Sequence, residues 1–291
     1  TYEIKDCKFT SNKCFRDLKD DVFGGAICIV TIESTFEISG CEFESNEAGE
    51  GGAIYFGTFH SNSYSSRVLL EDDYALSVSD CTFKKNKAYG KGAAVCVMIK
   101  DKKPIYSIEV TNCEFSENRA EESEWSGIEE ELPENGGAIY LGFNISVAGK
   151  FKVGFRCFDC TFSRNVASSK GGAICISIDN KEQLNYIEIS HCTFKQNLAS
   201  TNIITEIKCF GSDICYTHDS LSSQSERSSN VLLETSPAFQ VSDCTFSDSL
   251  SKDRGGSIYL SASNEQAAQS IEFIKCTFKD ITQSAGGAFD I

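Results

Sequence analysis

The residues most able to do chemistry in this chain of 291 are its fifteen cysteines, against only three histidines. Cys157-x-x-Cys160 is the one C-x-x-C pair, a spacing that can hold zinc or run thiol–disulfide exchange. It stands alone: His60, His191 and His218 are scattered and supply neither further ligands nor a triad, so the pair reads as packing and no metal or other cofactor is expected. Carboxylates are plentiful but dispersed. Asp20-Asp21 and Asp72-Asp73 are adjacent in sequence, so their side chains diverge on an extended strand instead of sharing an acid–base geometry. Glu121 to Glu134 gathers seven glutamates around Trp125, the only tryptophan; it reads as a solvated loop or as a hook for a partner, and lacks the oxygen spacing of a calcium loop. Asn144-Ile-Ser146 is a glycosylation sequon, expected in one of the long loops, where a glycan would fit.

What positions these residues is a repeat. Cys7, Cys41, Cys81, Cys113, Cys160, Cys192, Cys244 and Cys276 are each followed two residues later by phenylalanine: Phe9, Phe43, Phe83, Phe115, Phe162, Phe194, Phe246 and Phe278. Asparagine follows three residues on at Asn12, Asn46, Asn86, Asn118, Asn165 and Asn197, giving way to Ser249 and Ile281. A Gly-Gly-Ala-Ile run comes next, at 24–27, 51–54, 136–139 and 171–174, and in degraded form at 92–95, 211–214, 255–258 and 286–289. Self-similarity at tens of residues means one small unit stacked many times.

Apolar residues at minus five and minus three from each cysteine (Phe36 and Ile38, Leu76 and Val78, Ile108 and Val110) alternate as in a strand with one buried face. Cysteine and phenylalanine share the opposite parity, so a turn at Ser39-Gly40 and its equivalents must exchange the inward face. After a glycine corner a third strand alternates again, with cysteine or tyrosine between its apolar residues and Asp213 and Asp290 on the same intervening positions, so that outer face is expected to be wet. The unit is thus three short strands, two tight corners and a loop of variable length. About eight such coils, stacked as a single-stranded parallel β-helix, make an all-β solenoid in which phenylalanines pile into an aromatic column and asparagines into an amide ladder.

Cysteine spacings of 34, 40, 32, 47, 32, 52 and 32 residues alternate short and long, which would bring the long loops 58–73, 142–152 and 217–236 to one edge as a binding surface, or as tolerated insertions. Neighbouring opening cysteines would sit close enough for disulfides, but stacked side chains on parallel strands point the same way, favouring a reduced buried ladder. Cys175 and Cys215, outward and in successive coils, are the better disulfide candidates; Cys14 with Cys28, or Cys209 with Cys215, could tie corners. A formal net charge of −15 disfavours nucleic acid and anionic membranes, and no apolar run is long enough for a membrane helix. Residues 1–291 read as one domain, and the uncapped repeats at both ends suggest a segment of a longer protein.

Phe-x-x-Asn with Gly-Gly-Ala-Ile, repeated in order, resembles the repeats of the chlamydial polymorphic outer-membrane proteins and of similar β-helical surface proteins in protists. The resemblance implies a right-handed helix displayed extracellularly or at a cell surface, in adhesion or a surface coat. The resulting expectation is a non-enzymatic adhesive or structural module whose partner is a protein or glycan at a cell surface. A rod associating end to end into a filament or lattice is the alternative, and a β-helical polysaccharide lyase or hydrolase is the alternative from another class.

Overall fold

A computed structural model describes residues 1–14, 23–30, 34–58, 75–99, 105–121, 136–145, 152–180, 186–200, 210–219, 239–252, 255–262, 271–283 and 287–290. All regular structure in them is β, arranged as a parallel β-helix. The strands preceding the opening cysteines, from Tyr2–Lys5 and Phe36–Ser39 to Ile271–Ile274, form one eight-stranded parallel sheet. The phenylalanine strands, such as Thr82–Lys84 and Glu114–Ser116, form a second, and the strands after the glycine corner, such as Ile54–Thr58 and Ile139–Ile145, a third, each of eight strands.

The three expected strands per coil are joined by a fourth. Two residues after each asparagine corner, such as Glu47–Ala48 and Lys87–Ala88, are extended and pair into a seven-stranded sheet. Sequence alternation cannot register a strand this short; its second residue is a buried alanine in five coils, followed by Ser251 and Gln283 in the last two, and Ala88 and Ala120 pack with Ala93 of the glycine run.

Every coil repeats the same register. Phe43 pairs with Phe83, Phe83 with Phe115, Phe115 with Phe162, and Ile54 with Val95 and onward to Ile139. Parallel pairing at about 4.8 Å therefore stacks identical side chains.

The exchange of inward face is made by the backbone. The residue before each opening cysteine lies in the left-handed region with φ of 51–62°, at Asp6, Gly40, Asp80, Asn112, Asp159, His191, Asp243 and Lys275. Aspartate and asparagine hold most of these positions, as the local hydrogen bonding of short polar side chains favours. A second left-handed residue precedes each asparagine position, as at Ser45 and Glu117. The third corner belongs to the first glycine of the glycine run, left-handed at φ 56–68° in all seven coils described. At Gly51 a Cβ would also meet the Ile54 carbonyl oxygen at 2.4 Å. That first glycine survives in all eight repeats, whereas the second gives way to Ala93 and Ser212.

The inside of the coil is a single apolar core, and Phe43, Phe83, Phe115, Phe162, Phe194 and Phe246 are fully buried in it.

Candidate functional site

The phenylalanine column is continuous from Phe9 to Phe278. Phe43–Phe83, Phe83–Phe115 and Phe115–Phe162 ring centroids are 4.8 Å apart with planes within 4° of parallel, and the column closes with Phe246–Phe278 at 4.7 Å. Beside it run the opening cysteines, buried from Cys41 to Cys244. Their sulfurs lie against backbone: Cys113 Sγ is 3.4 Å from the Cys81 amide nitrogen and 3.2 Å from the Thr111 carbonyl. The fourteen cysteines described are all free thiols.

The asparagine column is a hydrogen-bonded ladder. Asn12 Nδ2 donates to Asn46 Oδ1 at 2.9 Å, Asn46 to Asn86 at 3.0 Å, Asn86 to Asn118 at 3.0 Å, Asn118 to Asn165 at 2.9 Å and Asn165 to Asn197 at 3.1 Å. Each Oδ1 also accepts the backbone N–H of the preceding asparagine, and each amide from Asn46 onward donates to the carbonyl of the phenylalanine one coil back, as Asn118 does to Phe83 at 3.0 Å. All side-chain donors and acceptors of Asn118 are thereby engaged in a site closed to water.

The ladder ends on a carboxylate. Where coil seven carries Ser249 in place of asparagine, Asn197 Nδ2 donates instead to Asp213 Oδ1 at 2.9 Å, and Ser249 Oγ donates to the same oxygen at 2.8 Å. Asp213 occupies the alanine position of the degraded glycine run and is fully buried, while its Oδ2 has no hydrogen-bond partner. Burial pushes its pKa up to about 7, although the hydrogen bonds from Asn197 and Ser249 favour the charged form.

This corrects the expected wet face at Asp213. The left-handed Gly211 turns the chain so that the residue two beyond it faces the amide ladder.

The outer face of the glycine-run strands is also drier than its alternation suggested. Tyr55, Cys96, Met98, Tyr140, Cys175 and Cys215 form a second buried apolar cluster, with Phe23, Phe210 and Tyr259 packed against it. Glycine two residues beyond Tyr55 and Tyr140 lets the ring lie along the strand: a Cβ on Gly57 would fall 2.6 Å from the Tyr55 ring, and one on Gly142 2.8 Å from that of Tyr140. Cys175 and Cys215 are register partners, as their spacing implied, and both are fully buried thiols. Cys14 is half-buried and Cys28 exposed, both as free thiols.

One sulfur cluster breaks the pattern. Cys157 replaces the aliphatic residue at minus three, between Val110 and Ile189 in register. Its sulfur lies 3.8 Å from that of Cys192 in the next coil, and the ligand atoms of Cys157, Cys160 and Cys192 all lie within 4.8 Å of one another, buried. Hydrogen bonds from the Cys113, Cys157 and Cys192 thiols pull the pKa of Cys160 down, and burial pushes that of Cys157 up. Sequence reasoning noticed Cys157 and Cys160 but not Cys192. The missing signal is that positions 157 and 192 are one coil apart and their columns adjoin.

Apart from Asp213, the charged side chains among the described residues lie outside the wall, and several pair between neighbouring coils. Lys8 to Glu42 and Lys13 to Glu47, each 2.9 Å, are examples, and such exposed pairs stabilise by about 0–1 kcal/mol each. Asn144 lies not in a loop, as expected, but in the strand Ile139–Ile145, which runs on past Gly142 because its backbone pairs in register with Asp179 of the next coil. Trp125, Cys209, Asp20-Asp21, Asp72-Asp73 and most of the long loops lie outside the described residues. Among the described residues no helix is long and apolar enough to cross a membrane.

The fold thus defines a parallel β-helical solenoid held by internal ladders. Four segments, 40–57, 80–97, 112–142 and 159–177, match the family model of the Chlamydia polymorphic membrane protein (Chlamydia_PMP) repeat. Each match runs from a corner before an opening cysteine into the strand after the glycine corner, so the similarity falls in coils two to five. No curated protein and no solved structure matches the chain.

Proposed function

We propose that this chain is a non-enzymatic β-helical module displayed at a cell surface, where it adheres to a protein or glycan partner. The observation that carries the reading is the Chlamydia polymorphic membrane protein repeat in four successive coils, a repeat of membrane proteins, on a scaffold whose inward polar groups serve the scaffold itself. The register supports a recognition edge. Strands Ile54–Thr58, Ile139–Ile145 and Ile214–Asp219, which lead into the three long loops, lie in one sheet, with Thr58, Ile99, Phe143, Ile178 and His218 in a row. Loops leaving a rigid solenoid along one line can vary without disturbing the core, as recognition surfaces do.

The test is to offer the fluorescently labelled chain to intact cells and, separately, to acidic polysaccharides. Saturable attachment to cells, with the polysaccharides left at full length, is the expected result. Depolymerised polysaccharide without attachment would overturn the reading in favour of a lyase or hydrolase. Concentration-dependent fibres in electron micrographs, again without attachment, would replace it with the filament subunit.

A further inference from the structure

We propose that Cys157, Cys160 and Cys192 form a buried three-sulfur site for a soft, thiophilic metal ion, Cu(I) in particular. Metal–thiolate bonds of about 2.3 Å set ligand sulfurs about 3.8–4.0 Å apart in tetrahedral or trigonal geometry. Cys157 and Cys192 stand at 3.8 Å, and all three sulfurs fall within 4.8 Å, so closure needs only small side-chain movements. The ligand set is sulfur alone, which selects Cu(I) or Zn(II) over harder ions. Choice between the two follows from ligand number and surroundings. Cu(I) is satisfied by three sulfurs, whereas zinc ordinarily takes a fourth ligand. The neighbours here are aliphatic and aromatic: Val110 and Ile189 flank Cys157 in its sheet, and Phe162 and Phe194 follow the two ladder cysteines.

The three ligands are also fixed by different strands of the repeat. Cys157 comes from Lys152–Phe158, and Cys160 and Cys192 open successive phenylalanine strands, so the backbone ladders of two sheets hold the triangle. Of the described inward positions at minus three, only that of coil five carries a sulfur; the others include Ile38, Val78, Val110, Ile189 and Val241. Binding exchanges thiol protons for metal, so metal uptake releases protons.

The experiment refolds the whole chain anaerobically with a reductant, in the presence of Cu(I), beside its Cys157→Val variant. Valine stands at this position in coils three, four and seven, so the variant keeps the fold, which unfolding midpoints verify. The expected result is one Cu(I) per chain that survives challenge by a Cu(I) chelator in the wild type and is lost in the variant, together with its thiolate-to-copper ultraviolet absorption. Equal retained copper in both proteins would overturn the proposal. So would retention of Zn(II) or Cd(II) but not Cu(I), or a Cys157 disulfide in the wild type that persists under the reductant.

Discussion

Asn118→Ala is expected to destabilise the solenoid by about 3–5 kcal/mol, more than truncating any exposed side chain. The residue accepts from both the backbone and the side-chain nitrogen of Asn86 and donates to Phe83 and Asn165. Alanine leaves two Asn86 donors without an acceptor where water cannot reach, at about 1–3 kcal/mol each, and removes one donor from the Phe83 carbonyl. Loss in a stacked array is felt first by the neighbours. Urea unfolding should therefore shift to lower midpoint while amide exchange accelerates most in coils three and four. The chain also carries its own remedy for a missing asparagine. Ser249 is tolerated because Asp213, in the preceding coil, presents a carboxylate oxygen to Asn197. Ala94 is the coil-three equivalent of Asp213, so Asn118→Ser combined with Ala94→Asp should recover part of the stability that Asn118→Ser alone loses, measured at pH 5. A double variant no more stable than the single one would show that the carboxylate does not substitute for the amide.

Asp213 also makes stability depend on pH in the unusual direction. Its carboxyl has an ordinary value of 3.8 and is raised to about 7 in the fold, so the native state holds a proton that the unfolded chain releases. The stabilisation is complete below the ordinary value and is lost as pH rises through about 7. Between pH 5 and pH 8 the wild type should lose on the order of 3 kcal/mol. Glu47 and Glu121 work oppositely, since their pKa values are lowered. For both, burial is the largest influence and favours the neutral form, but it is outweighed by hydrogen bonds and charge from Tyr89 and Lys13, or from Lys87 and Arg119. Their contribution is present above the ordinary value of 4.5 and lost below it, outside the window in question. Asp213→Asn keeps an acceptor for Asn197 without the charge. Its unfolding midpoint should be flat over this range and exceed that of the wild type at pH 8. Parallel curves for the two proteins would assign the pH dependence elsewhere.

Much of the architecture was legible because the repeat supplies its own alignment. Phe83, Phe115 and Phe162 fall in register since the fold gives each letter of the repeat one place on the coil, and the parity break before each cysteine foretold a turn that proves to be a left-handed residue. What escaped were features that depend on two coils at once. Asp213 looked solvent-facing from its own strand, and only the lost asparagine at position 249, one coil further on, explains why a carboxylate is buried there. Cys157 and Cys160 looked like an isolated pair because their third neighbour, Cys192, is distant in sequence and adjacent in the stack. The tyrosines on the outer face likewise alternate as solvent-facing residues would. Their burial comes from glycines two residues away and from aromatic neighbours contributed by the corner, as when Phe23 stacks on Tyr55 at 4.2 Å.

The coil-over-coil register is tested most directly by solution NMR on protein with labelled phenylalanine rings, assigned by single Phe→Leu substitutions. Ring-to-ring nuclear Overhauser contacts should link Phe83 to Phe115 and Phe115 to Phe162, whose centroids are 4.8 Å apart, with no contact between Phe83 and Phe162. Absence of both neighbour contacts in the folded protein, or a Phe83–Phe162 contact in their place, would contradict the stack on which every ladder described above depends.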